Sequence, residues 1–221
     1  MENRQSDAPP IGETEGKSEQ VERMFDEIAP RYDLLNRVLS LGIDRWWRLR
    51  AIRMLRGEHP RRILDVATGT ADLAIAAARH LNPAGVVGID LAERMLERGR
   101  EKVRERDLDD RIALGQADAA ELPFKDDAFD AALVGFGVRN FEDLRGGLSE
   151  TARVLRPGGK LVVGGLLSPS RAAYEYLPAS VEAFPDGADF LACMEAAGFT
   201  ETEWQPLTFG IASLYAGRVA G

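Results

Sequence analysis

Three aspartates, Asp65, Asp90 and Asp118, each close a short apolar run, and the first is followed at once by a glycine-bearing turn, Ala67-Thr68-Gly69-Thr70-Ala71. A carboxylate at a strand end can accept hydrogen bonds from the hydroxyl or amino groups of a ligand. A glycine turn leading into a helix lets backbone N–H groups approach an anion. Asp90 follows Thr70 by 20 residues, the spacing at which a carboxylate can accept both hydroxyls of a ribose. Asp118 could accept from an adenine amino group while Ala119 donates its backbone N–H to the ring. A dinucleotide enzyme would need the glycines of G-x-G-x-x-G to approach a pyrophosphate, and only Gly69 stands in this turn. A nucleoside carrying a carboxylate in place of phosphates fits better. Each residue also has a plain structural use: the turn can serve tight packing, and a strand-terminal aspartate can cap the next helix.

Other chemistry-bearing types offer less. No His, Cys and Asp cluster has metal-ligand spacing, so no metal site is expected. His59 precedes the first strand, at the wrong end of a sheet for catalysis, and His80 falls at a helix C-terminus, where it complements the helix dipole. Cys193 lies in a helix beside Met194 and reads as core.

The elements that must position the aspartates follow from apolar periodicity. From Arg61 onward short apolar runs alternate with helical patterns: strands at 63–67, 86–89, 112–115, 131–136 and 161–165, and helices at 71–80, 92–106 and 144–155. Pro157-Gly158-Gly159 reads as a turn into the fifth strand. A helix at 188–197, ended by Gly198, precedes strands at 200–207 and 211–218 that read as an antiparallel hairpin. The pattern predicts an α/β fold with a mostly parallel seven-stranded sheet, helices on both faces, and the hairpin at one edge. Ligands of such sheets bind beyond the carboxyl ends of the strands, where chain order reverses. Upstream, residues 1–18 read as a flexible tail and 19–58 as a helical subdomain interrupted by Pro30, with 59–221 forming the α/β domain.

Composition bounds the rest. A chain of 221 residues that is 45% hydrophobic and 29% charged suits a single soluble globular domain, and its apolar stretches are far too short for a membrane-spanning helix. One cysteine cannot form an internal disulfide, and the start, MENRQSDAPPIGETEG, lacks the apolar core of a secretory signal, so a cytoplasmic protein is expected. The net charge of −8 argues against a nucleic-acid-binding surface. One basic stretch stands out: Arg45, Arg48, Arg50, Arg53, Arg56, Arg61 and Arg62 beside Trp46 and Trp47. It reads either as an interfacial patch for anionic lipid or as the wet side of an amphipathic helix whose apolar side is Ile43, Trp47, Ala51, Met54 and Leu55.

Asp65 to Leu73, Asp90, DAAELPF from Asp118, FGVRN from Phe136 to Asn140, and LRPGGKL from Leu155 to Leu161 resemble a class I S-adenosylmethionine-dependent methyltransferase of Rossmann-like fold. More narrowly, the chain resembles the family that C-methylates demethylmenaquinol and the ubiquinone precursor. MFDEIAPRYDLLNRVLSLGIDRWWR resembles that family's N-terminal signature, and YEYLPASVEAFP with LTFGIASLYAG its C-terminal one, so about four-fifths of the chain is covered.

The resemblance implies S-adenosylmethionine as cofactor, held by Asp65, Gly69, Thr70, Asp90, Asp118, Ala119 and Gly135, the last standing where the family usually has serine. It places Arg139 and Asn140 in the active site, with Tyr32 of RYDLLN reaching the quinol or packing under the N-terminal helices. The implied substrate is a polyprenyl quinol, most readily demethylmenaquinol. The alternatives are the ubiquinone precursor, another small molecule, or a cofactor-binding relative with impaired catalysis. A polyprenyl substrate implies work at the inner membrane face, and a homodimer is compatible with the sequence. After the fifth strand the family reads an acidic residue, Phe-Ser-x-Pro and a long helical insertion. Here GGLLSPSRAAYEYLPAS runs on directly, so the departure falls on the substrate side.

Overall fold

The computed structural model describes residues 42–167 and 184–221. Its described elements are α1 (Asp44–Arg53), β1 (Arg62–Val66), α2 (Asp72–Leu81), β2 (Gly85–Asp90), α3 (Glu93–Arg104), β3 (Ile112–Gln116), β4 (Phe129–Val134), α4 (Leu144–Val154), β5 (Leu155–Leu167), α5 (Ala188–Ala196), β6 (Phe199–Leu207) and β7 (Ala212–Val219). The strands form one sheet in the order β3-β2-β1-β4-β5-β7-β6. The first five run parallel, and β7 lies antiparallel to both β5 and β6. This is the expected architecture, closed by the expected hairpin.

The central strands are apolar on both sides because both faces of the sheet are covered. Ile63, Ala131, Leu133 and Val162 point into one core with Trp47 and Ala51 of α1, Leu55 just beyond that helix, and the alanine-rich face of α2. Their chain neighbours Leu64, Val66, Ala132, Val134 and Val163 point into the other, with Leu148, Phe190 and Tyr215. The period-2 alternation of a strand thus feeds two cores from one sequence run. α1 shares the first core, so this part of the N-terminal helical region is packed against the sheet. Ile43 of its expected apolar side is exposed, whereas Trp47, Ala51 and Leu55 are buried. No helix among the described residues is long and apolar enough to cross a membrane.

The main difference from expectation is β5, which begins at Leu155 rather than Leu161. Phe129 of β4 pairs with Leu155 while Ala131 pairs with Lys160, so Pro157-Gly158-Gly159 bulges out of the ladder instead of preceding it. Gly158, at φ +74°, supplies the left-handed residue of the bulge, and Pro157 donates nothing to the ladder it interrupts.

Candidate functional site

Between β1 and β4 the chain reverses its direction of travel across the sheet: β1 leads outward to β2 and β3, β4 to β5 and β7. A cavity opens there, beyond the carboxyl ends of the strands, with about 1190 Å³ of empty space including its mouth. Its walls include Asp65, Gly69, Thr70, Asp90, Asp118, Ala119, Gly135 and Asn140. Those eight were singled out from the sequence.

Each strand-end aspartate organises backbone at the cavity wall. Asp90 accepts the Gly69 N–H at 2.8 Å through one carboxylate oxygen and the Ala92 N–H at 3.0 Å through the other. It therefore ties the turn after β1 to the start of α3, and the capping use coexists with its place in the cavity, since each oxygen can accept a further bond. Asp118 accepts the Ala120 N–H at 2.8 Å and so shapes the loop that presents Ala119. Asp65 is fully buried. Its Oδ2 accepts the Thr68 hydroxyl at 2.6 Å, whereas its Oδ1 has no partner among the described residues. Burial pushes the Asp65 carboxyl up to about 7, the Thr68 bond opposes that rise, and the negative charges of Asp90 and Asp72 add to it.

The turn itself is strained. Ala67, Gly69 and Ala71 all have positive φ, at 53°, 55° and 63°, and only the glycine adopts this region without steric cost. From the far wall Gly137 approaches so closely that a Cβ there would lie 2.3 Å from the Ala67 methyl. The floor of the cavity thus has room for nothing larger at position 137.

Charged groups that sequence reasoning did not pick out gather beside the turn. Asp72, in the first turn of α2, receives the Lys102 ammonium from α3 and lies 3.6 Å from the Arg48 guanidinium of α1. Lys102 also donates to the Thr70 hydroxyl at 3.0 Å, and Arg48 binds Asp44 at 2.5 Å. Asp72 and Arg48 both line the cavity. Lys102 had left a signal: a lysine within the buried stripe Met95, Leu96, Gly99, Val103 of α3 must find a partner. Arg48 was hidden within the basic stretch, where neither reading separates it from Arg45 or Arg53.

The turn after β4 divides the two residues expected in the active site. Asn140 lines the cavity, whereas Arg139, half-buried in the same 3-10 turn (Phe136–Asn140), is not among the lining residues. Tyr32 and the segment from Ser168 to Ala183 lie outside the described residues. His59 lies at the amino end of β1 in a separate hollow with Asn82 and Pro83, as expected, and Cys193 is half-buried. Among the described residues no acid, histidine and cysteine group could hold a metal ion.

With this geometry in hand, known proteins give a close match. The model of the ubiE/COQ5 methyltransferase family matches residues 13–164 and 162–218, two stretches whose junction falls within β5. A demethylmenaquinone methyltransferase from Bacteroides fragilis is 45% identical, covering 90% of this chain and 92% of the relative. That alignment runs over 225 positions, more than this chain's 221 residues although it takes in only 90% of them, so the relative carries residues with no counterpart here. A ubiquinone/menaquinone biosynthesis C-methyltransferase from Geobacter sulfurreducens is 42% identical over 91% of this chain and 89% of its own length. Among solved structures, the [4+2]-cyclase SpnF shares the fold with a TM-score of 0.74 at 21% identity, covering 94% of this chain and 98% of that one. On the sequence match along nearly its whole length, the chain belongs to the ubiE/COQ5 methyltransferase family.

Proposed function

We propose that this protein transfers a methyl group from S-adenosylmethionine to a ring carbon of a reduced polyprenyl quinone precursor, demethylmenaquinol. Family membership and the names of its relatives support the reaction class. The observation that carries the cofactor is the cavity at the strand reversal, where Asp65 presents a buried carboxylate oxygen with no donor among the described residues. A buried acceptor is stabilised by a ligand that brings a donor, and an amino-acid ammonium is such a ligand. Asp90 then takes the ribose hydroxyls, and Asp118 with Ala119 takes the adenine edge. Gly135 offers backbone where a serine would offer a hydroxyl. At the amino end of α2, Lys102 and Arg48 offset the charge of Asp72, so that end can still meet a carboxylate.

When bound, this cofactor supplies a methyl group already activated by positively charged sulfur. The protein's own task is to hold the reacting carbon in line and to raise its electron density. A ring hydroxyl resembles tyrosine, with an unperturbed pKa of about 10, and a neighbouring cation favours its ionised form. Arg139, which does not itself line the cavity, is carried as that cation on the substrate side of the turn after β4, with Asn140 on the cavity wall orienting the ring. A guanidinium stays protonated in proteins and does not act as the base, so the proton leaves through water. Tyr32 is carried in this reading as a hydrogen-bond partner of the quinol. Work on a polyprenyl substrate also implies peripheral contact with a membrane at its cytoplasmic face.

A radiolabelled methyl-transfer assay with reduced short-tailed demethylmenaquinone, the corresponding ubiquinone precursor and a no-substrate control tests this directly. Label in the demethylmenaquinone product is the expected result. Binding of S-adenosylmethionine by calorimetry without transfer to either quinol would replace the reading with that of a cofactor-binding relative.

A further inference from the structure

Five large apolar residues are exposed among the described residues: Ile43, Trp46, Trp204, Phe209 and Ile211. Four of them meet on one edge. The turn between β6 and β7 lies at the carboxyl end of β5, because Leu167 pairs with Ala212, so Phe209 and Ile211 stand on the edge where the cavity opens. The Trp47 indole of α1, which lines the cavity, donates to the Thr208 hydroxyl at 2.8 Å and ties the start of α1 to that turn. Ile43 lies one helical turn before Trp47, and Trp46 is its chain neighbour. Phe209 is wholly exposed, and both it and Thr208 are held at positive φ, 55° and 48°. Thr208 fastens the turn to α1, but the strained Phe209 that follows presents its ring to water and does nothing for the core, and local strain of this kind marks sites where a surface is held for use.

The charge around the patch is one-sided. From Gly42 to Gly57 there are five arginines and one acid, Asp44, which is buried against Arg48. Arg45, Arg53 and Arg56 are exposed, and the Arg50 guanidinium lies 5.8 Å from the centre of the Trp46 ring. Such a local excess stands against a chain of net charge −8. Aromatic and aliphatic tips framed by arginines fit the headgroup layer of an anionic bilayer, where rings sit at the interface and each cation adds to attraction.

We propose that Ile43, Trp46, Phe209 and Ile211 form a bilayer-seated edge beside the cavity mouth, with Arg45 and Arg50 of α1 meeting anionic headgroups. The edge deepens the reading of a polyprenyl quinol substrate and rests on it only for its purpose: a substrate with a lipid tail would enter the cavity from the membrane side.

Sedimentation of the full chain with vesicles of phosphatidylcholine, with and without phosphatidylglycerol, tests the edge without any methyl transfer. The intact protein should partition at least tenfold more strongly onto the anionic vesicles. The pair Phe209→Ser and Ile211→Ser should lower that partition at least tenfold, and the pair Arg45→Glu and Arg50→Glu should abolish the anionic preference, both with unchanged thermal unfolding. The arginine pair also serves as the independent test if the apolar pair does not fold. Equal or absent binding to the two vesicle types would overturn the proposal. So would variants that sediment like the parent, or a concentration-dependent dimer in sedimentation velocity that the apolar pair dissolves. Because the readout is binding, a failed methyl-transfer assay leaves it intact, and failed vesicle binding leaves turnover of a short-tailed quinol intact.

Discussion

The two halves of the sheet, either side of the β1–β4 boundary, use the ends of their strands differently. On the β1-β2-β3 side the strand ends and the loops just beyond them carry aspartates whose oxygens hold turn groups at the cavity wall: the Thr68 hydroxyl for Asp65, backbone N–H groups for Asp90 and Asp118. On the β5-β7-β6 side apolar packing surrounds two buried hydroxyls, those of Ser213, which accepts from the Trp204 indole at 3.1 Å, and Tyr215. The Tyr215 hydroxyl donates to Asp186 at 2.7 Å and accepts the Gly187 N–H at 2.8 Å, while its ring stacks on Trp204 and tilts against Phe190. Burial and the bond to Asp186 push the Tyr215 phenol up to about 12, so it acts as a fixed clamp rather than a titrating group. The polar half presents groups to a ligand; the apolar half anchors the chain where it returns to the sheet. The departure from relatives falls in the second half, at the junction within β5, and leaves the three aspartates untouched.

The contrast can be broken from either side. The largest effect is expected for Asp90→Ala, which removes the acceptor of two N–H groups and the proposed acceptor of the ribose. S-adenosylmethionine affinity should fall more than tenfold by calorimetry, and unchanged affinity would remove the ribose assignment. Next, Gly137→Ala forces a methyl against Ala67, which lies only 2.3 Å from the new Cβ. Overpacking of about 1–3 kcal/mol should appear in urea unfolding together with weaker cofactor binding. The mirror experiment is Tyr215→Phe, which deletes the clamp and should cost roughly 1–3 kcal/mol of stability. Cofactor affinity should stay within twofold; a parallel loss of binding would mean that the two halves are coupled.

The smallest effect is a pH dependence within the polar half. The Asp65 carboxyl rises from its ordinary range to about 7 on folding, so the folded state holds a proton that the unfolded state has released between about pH 4 and 7. Its contribution to stability is therefore fullest below about pH 4 and is lost as pH rises through 7. Asp65→Asn keeps an acceptor for Thr68 and removes that loss, so its stability relative to the parent should increase from pH 5 to pH 8 in urea unfolding. Parallel curves at the two pH values would place the proton elsewhere.

Much of this was legible in advance where the signal is local. Ile63, Leu64 and Val66 announce a doubly buried strand, and an aspartate one residue from its end needs a polar partner in the turn that follows, which Thr68 supplies. The 3.6-residue stripe of α3 fixes which face of that helix is buried. Pro157-Gly158-Gly159 was read as a turn for sound local reasons, but pairing between Phe129 and Leu155 carried the ladder past it. The site divides the same way. Asp65, Asp90 and Asp118 could be found because their position in the strand pattern tells where they lie. Arg139 and Asn140 are adjacent in sequence, yet only Asn140 lines the cavity, because the direction of a side chain in a short 3-10 turn depends on what packs against it.

By itself, then, the sequence determined the order and type of most elements and the acidic residues at the strand ends, all consequences of periodicity within a few residues. Tertiary structure alone decided that Arg48 and Lys102 would converge on Asp72, and that Trp47 would reach Thr208 across 161 residues of chain to bring Phe209 beside α1. Such contacts depend on how α1 and the final hairpin settle on a finished sheet, and a local pattern carries no record of a partner that only the assembled core brings within reach.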